Sequence, residues 1–299
     1  MKKMQNLNLN IFVALSLIVL LLFGCTVKQT IKGGEKAGFD LFYRLDKDQR
    51  LNYEFNTKID NRMKIRDQET ITKEDSRILC SMVGTEANQP DQLSSQVTID
   101  DMQMKTLQTA GGESGEIERD LSNVIGKSFN LTFSPQGKEI DYSGIEKITI
   151  DYGPMNGGEQ SVINHFRDMF PNLPTKVINI GETWTETVEE TRQLSKNASM
   201  KIILNLTSTI EDHEIINGYK CLRIQTKASG NLKGSNRQRN NFYYISGDIT
   251  NEVTWYFAYQ KGLLVKSLSK AEMQLKIYTN LTIPMIIKIT DEKKLTTPL

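Results

Sequence analysis

Apolar and polar positions alternate with a period of two along most of this chain. Between Leu51 and Ile65, one parity holds Leu51, Tyr53, Phe55, Thr57, Ile59, Met63 and Ile65. The other holds Asn52, Glu54, Asn56, Lys58, Asp60, Arg62 and Lys64. This describes a strand with one buried and one wetted face. Parallel strands are usually buried on both faces, so the pattern predicts an antiparallel sheet. It returns near the C-terminus, where Leu263, Val265, Ala271, Met273, Leu275 and Ile277 oppose Lys266, Lys270, Glu272, Gln274 and Lys276. Val253, Trp255, Phe257 and Tyr259 alternate just before, and Gln260-Lys261-Gly262 marks a hairpin turn.

The same reading predicts strands over 39–45, 75–85, 96–108, 128–134, 138–152, 183–193, 200–212, 219–228, 241–245 and 283–295. Pro135-Gln136-Gly137 and Asn217-Gly218 supply turns between them. At Asp100-Asp101 the apolar parity slips, which predicts a bulge. Two segments follow the helical period instead. Ile117, Leu121, Val124 and Ile125 form one, closed by Gly126. Val162, Ile163, Phe166, Met169 and Phe170 form the other, a helix over 159–170 ended by Pro171. Ser229–Asn240 shows no period and reads as a long, mildly basic surface loop. Contact of that loop with anionic headgroups is the lesser reading. The fold class is therefore mainly β: a large curved antiparallel sheet or half-barrel with two short helices packed on one face. The helix 159–170 divides it into two strand-rich halves, 39–157 and 171–299.

The N-terminus changes this picture. Lys2 and Lys3 precede an apolar run, Ile11–Phe23, broken only by Ser16. That run is short for a membrane span, which needs ~20 apolar residues, and fits the core of a signal peptide. Leu22-Phe23-Gly24-Cys25 resembles the bacterial lipobox. The resemblance implies cleavage after residue 24, diacylglycerol on the Cys25 sulfur and acylation of its amine. A plain secretory signal or an uncleaved anchor are the alternatives. Residues 25–38 then form the lipidated cysteine and a polar tether, and 39–299 the β-rich domain. Thr26, where Asp would signal inner-membrane retention in enteric bacteria, favours the outer membrane of a two-membrane host. In a host with one membrane the site is the outer face of the cytoplasmic membrane.

Charge and composition exclude more than they assign. The chain has 299 residues with 37 Lys+Arg against 36 Asp+Glu. Losing residues 1–24 removes two lysines and no acid, so the formal +1 becomes −1. Phosphate binding needs a basic excess, which argues against nucleic acid as a partner. No nucleophile elbow, phosphate loop, dinucleotide fingerprint or zinc-protease motif occurs, so no catalytic residue, metal or cofactor is assigned and the protein is not read as an enzyme. Only two histidines could serve a triad. His165 reads as helix surface or cap, and His213, in Asp212-His213-Glu214, lies where neighbouring strand residues diverge. Cys80 and Cys221 either form a disulfide or stay as two buried thiols.

A lipobox, a polar tether and long alternating strands together resemble the lipoprotein-carrier half-barrel superfamily. Pro171-Asn172-Leu173-Pro174 through Gly181-Glu182-Thr183-Trp184, and the stretch Val124–Ile140, are similar to patterns in bacterial lipoproteins of unknown function. The resemblance implies a sheet whose concave face is covered by helices and holds acyl chains. Val162, Phe166, Met169, Phe170, Trp255, Phe257 and Met273 are then the candidate pocket residues for a lipid or other hydrophobic ligand. The other reading is a solid core and a structural or interaction role with an envelope protein partner.

Overall fold

Alternation of the kind seen in 51–65 continues through nearly every strand of the structure, a computed structural model that describes residues 38–152, 159–195, 198–238 and 241–297. The apolar run, Cys25 and the tether up to residue 37 lie outside these residues. Among those described, no helix is long and apolar enough to cross a membrane.

Three long strands form the first meander: β1 (Arg50–Ile65), β2 (Gln68–Thr85) and β3 (Leu93–Ala110). Two short strands share the outer edge of β3. β4 (Glu113–Glu118) pairs with its far half and β5 (Ser128–Phe133) with its near half. β6 (Glu139–Asp141) follows β5. A separate hairpin, β7 (Thr149–Asp151) and β8 (Glu159–Ser161), leads into the one-turn helix α1 (Ile163–Phe166). The second meander is longer: β9 (Thr183–Ser195), β10 (Ala198–Ile216), β11 (Tyr219–Gln238), β12 (Asn241–Ala258), β13 (Leu263–Tyr278) and β14 (Thr282–Leu295). β14 pairs with β1, from Tyr53–Leu295 to Met63–Met285, and this joins the two halves. The result is one open antiparallel sheet of order β6-β5-β3-β2-β1-β14-β13-β12-β11-β10-β9. The hairpin turns at 65–68, 110–113 and 278–282 lie at one end, the tip. Asn217-Gly218 and 259–262 lie at the other, the base.

One face of the sheet is sealed by chain segments rather than by helices. Residues 38–46 cross it, pinned by Phe39 to Ile178, Tyr43 N–H to the Pro135 carbonyl and Arg44 N–H to the Gly262 carbonyl. A strap over 163–174 crosses beside them. Phe170 stacks on Phe133 at 5.0 Å and meets Tyr43 and Tyr53, while Phe166 meets Phe55 and Phe129. Burying rings of this size supplies about 2–3 kcal/mol each.

Several expectations need correction. The segment 117–126 is no helix: Ile117 stays in β4, and only a tight turn buries Leu121 and Val124. The 159–170 helix shrinks to one turn. Asp168 sits at φ 55, and its N–H and that of Met169 go to the Glu139 carboxylate instead of to helical carbonyls. Residues 39–45 are a strap, and 138–152 breaks into β6, a 3-10 turn at Ile145–Lys147 and β7. The expected loop after Ala228 is the end of β11. Its inner positions include Gly230 and Gly234, which hide the alternation. A Cβ at Gly230 would lie 1.9 Å from the Ile203 carbonyl oxygen, so no side chain fits there. The bulge at Asp100 is present: Ile99 opposes Cys80 and Asp101 opposes Leu79.

Candidate functional site

The inner face of the sheet is mostly apolar; besides Ser95 on β3 and the Ser208–Thr226 pair on β10 and β11, its polar side chains gather in two patches on and beside two shared cross-strand rows. One row reads Thr226, Val253, Ser269, Asp291, Thr57, Ser76, Met104. The next includes Asn251, Ala271, Ile289, Ile59, Glu74 and Thr106. The β12–β14 part carries Asn251, Ser269, Asp291 and Lys293; the β1–β3 part carries Asn61, Thr72, Glu74, Ser76 and Thr106.

The β12–β14 patch is closed and paired. Ser269 donates to Asn251 at 2.8 Å, and Thr57 donates to Asp291 at 2.8 Å. Lys293 reaches up to the Asp168 carbonyl at 2.7 Å. Asp168 pairs with Arg192 at 3.1 Å, and Arg192 also pairs with Glu190. The Glu139 carboxylate accepts the Asp168 and Met169 N–H groups at 2.9 and 2.7 Å. Tyr43 donates to the Pro171 carbonyl and Tyr142 to that of Phe166. Burial raises the Glu139, Asp168 and Asp291 carboxyls above their usual range; Arg192 opposes this at Asp168, and Lys293 at Asp291. The space left under the strap, about 20 Å³, holds one water at most. This patch is a clamp.

The β1–β3 patch is open and only partly paired: the Glu74 carboxyl meets Thr106 and the Arg119 charge, yet several atoms keep no partner among the described residues. The gap between β4 and β5 along β3 is filled by residues 119–127, fixed by Ile99 N–H to the Lys127 carbonyl and Gly126 N–H to the Ile99 carbonyl. Leu121 and Val124 anchor this loop, and Asn123 ties it to the Thr149 carbonyl. Between the loop and the sheet lies a cleft of about 640 Å³, within the range of small-molecule sites. Met102, Met104, Leu121 and Ile125 give it apolar surface, but most of its wall is polar or charged: Thr57, Ser76 and Arg119, with Asn56, Lys58, Asp75, Arg77, Gln103, Lys105, Glu118 and Asp120. Arg119 Nε in its wall has no hydrogen-bond partner among the described residues, and neither do Asn61 Oδ1, Thr72 Oγ1, Glu74 Oε1 and Thr106 Oγ1, which lie on inner-face positions outside the cleft lining. Asn61 is 4% exposed and Glu74 8%. Each such atom costs about 1–3 kcal/mol unless something pairs with it. Burial pushes the Glu74 carboxyl up to about 7, against the pull of the Arg119 charge. The Arg119 guanidinium lies over the Tyr152 ring at 4.4 Å.

The seven residues named from the sequence as a pocket do not line this cleft. Val162, Phe166, Met169, Phe170, Trp255, Phe257 and Met273 are all buried in the main core. Trp255 donates its indole N–H to Thr226, which shares a hydrogen bond with Ser208. Cys80 and Cys221 are free, buried thiols, five strands apart in sheet order. His165 is held neutral, its pKa lowered to about 4 by burial. His213 packs edge-on to Phe39 at 5.6 Å, while Glu214 pairs with Arg223. The cleft had a signal in the sequence. Asn61 interrupts the apolar parity of β1, and Thr70, Thr72 and Glu74 occupy the inner parity of β2. That is why the strand was expected only from residue 75.

No family model matches the chain, and no curated protein matches it in sequence. Among solved structures it is similar to an exported protein with a YmcC-like fold from Bacteroides fragilis, at 8% identity and a TM-score of 0.24 over 85% of this chain and 97% of that one. It is also similar to two Pseudomonas aeruginosa proteins. OccK7 (OpdD) matches at 6% identity and 0.24 over 82% and 98%, and OccK5 (OpdH) at 8% and 0.26 over 85% and 100%.

Proposed function

We propose that this chain is a lipid-anchored envelope protein, held through Cys25, that binds an amphipathic small molecule in the β1–β3 cleft. The observation that carries this reading is the cleft itself, with Arg119 Nε unpartnered in its wall and Asn61 Oδ1, Thr72 Oγ1 and Glu74 Oε1 unpartnered on inner-face positions near it, outside its lining. A polar head with hydrogen-bond donors satisfies the three oxygens, and an acceptor on the same head takes Arg119 Nε. The apolar body lies on Met102, Met104 and Leu121. The resemblance to lipoprotein carriers supports the ligand class, although the cleft is not where the pocket was expected. The role is binding, not catalysis.

Titration with dodecylamine and with lauric acid, followed calorimetrically, tests this. Wild type should bind at least one, and Ile125→Trp, which fills the cleft from an exposed position in its lining, should abolish it. Binding that survives Ile125→Trp, or no binding of either probe, removes the reading. A second reading, a docking protein for an envelope partner, is favoured by the edge of β9, whose outer side has no neighbouring strand among the described residues. Crosslinking from Thr185 in cells tests that edge: an adduct supports docking, and its absence counts against it.

A further inference from the structure

The outer face of the sheet is mostly polar; Leu107, Ile215, Leu268 and Ile286 are exposed singly on it, and a cluster of exposed apolar side chains stands at one corner of the tip. Phe242 and Tyr244 on β12 are 49% and 57% exposed, and their rings lie 4.8 Å apart. Tyr278 on β13 is the cross-strand partner of Tyr244, and Leu281 caps the next turn. All four are exposed large apolar side chains. A patch of this kind needs an occupant or an interface.

One row further from the tip stands a basic line. Lys201 pairs in register with Lys233, Lys233 with Ser246, and Ser246 with Lys276. Lys201 is bonded to Glu189, but Lys233 and Lys276 have no ion-pair partner among the described residues. Asp248 and Glu272, on the same outer face, lie further toward the base, and Glu272 is bonded to Lys288. The opposite corner of the tip differs: β4 carries Glu113, Glu116 and Glu118. Aromatic rings at the end of a rigid element, backed by free lysines, match the layering of a bilayer surface, with rings at headgroup depth and ammonium groups beside phosphates. A protein partner would not require that order of layers.

We infer that this corner, Phe242, Tyr244, Tyr278 and Leu281 with Lys233 and Lys276, docks on an anionic lipid surface. It lies at the end of the sheet opposite Phe39, which pairs with Ile178 at the base. The test uses the full chain carrying Tyr278→Trp. Trp184 and Trp255 are buried, so the introduced indole reports the tip. Vesicles of brominated phosphatidylglycerol should quench it at physiological salt, and vesicles of brominated phosphatidylcholine should not. Adding Lys233→Gln and Lys276→Gln should weaken the effect roughly 30-fold, from ~1 kcal/mol for each charge. Equal far-ultraviolet spectra would show that these outer-face variants still fold. An indole left unquenched on both vesicles overturns the inference, even if the chain sediments with lipid through its N-terminal segment. So does quenching that the lysine substitutions leave unchanged. A blue shift without vesicles that grows with protein concentration would overturn it in favour of a second copy of the chain.

Discussion

The two polar patches share one sheet face and two cross-strand rows, yet they are finished in opposite ways. Under the strap, Asn251, Ser269, Asp291 and Lys293 meet partners at hydrogen-bond distance, and the remaining space is about 20 Å³. On β1–β3, Asn61, Thr72 and Glu74 present atoms with no partner beside about 640 Å³. The difference separates structure from function. A buried polar cluster that is fully paired fixes one arrangement of the chain. One that is half paired costs free energy and persists where a ligand completes it.

The largest effect that separates them comes from removing one arginine from each. Arg192→Met should destabilise the protein by about 3–5 kcal/mol, because it leaves the Asp168 carboxylate buried without its partner. Arg119→Met should cost less than about 1 kcal/mol, the value of its contact with Tyr152, while weakening ligand uptake. Urea unfolding with fluorescence detection measures both. Equal losses would erase the distinction between clamp and site.

A glutamate in each region sharpens it further. Burial holds Glu74 at about 7 against an ordinary value of 4.5. The folded chain therefore holds that proton more tightly than the unfolded chain. Stability falls as pH rises from 4.5 to about 7 and is level above. Glu74→Gln removes this loss: it should be neutral at pH 4 and stabilise by about 3 kcal/mol at pH 8. Glu139 is also held high, first by burial and then by the Asp168 charge, but its carboxylate accepts two backbone N–H groups. Glutamine accepts only one of them well. Glu139→Gln removes a charge held as high as that of Glu74, but it gives up a charge-assisted bond worth about 1.5–3 kcal/mol, so the two effects largely cancel at pH 8. Denaturant curves at pH 8 should thus show a clear gain for Glu74→Gln and little net change for Glu139→Gln.

These residues also mark what could be read from the sequence. Wherever apolar side chains filled the inner parity, strand and facing were legible, as in 51–65 and 263–277, and the slip at Asp100 was legible as a bulge. Where that parity is polar or empty, the reading stopped. Thr70, Thr72 and Glu74 hid the first third of β2, and Gly230 and Gly234 hid the end of β11. The strap was misread as a helix because Phe166, Met169 and Phe170 keep a helical spacing. What diverts the chain there is Glu139, a long-range partner that no local pattern reveals. The apolar residues chosen as a pocket were correctly placed inside the fold, but being inside is what a core residue and a pocket residue share. The cleft was marked instead by polar residues on the buried parity.

The smallest effect falls on the boundary. Thr57 lines the cleft and also donates to Asp291 in the clamp. Its hydrogen bond opposes the burial that raises the Asp291 carboxyl. Thr57→Val keeps the shape and removes the donor, so Asp291 should take up a proton more readily. A stability loss of about 1 kcal/mol is expected at pH 8. It should shrink as the pH is lowered and Asp291 is protonated in both folded and unfolded chains. Uptake of a cleft ligand should change little, because the valine leaves Asn61, Thr72, Glu74 and Arg119 untouched. If binding instead falls as far as it does in Arg119→Met, the two patches work as one continuous site and the strap is part of it.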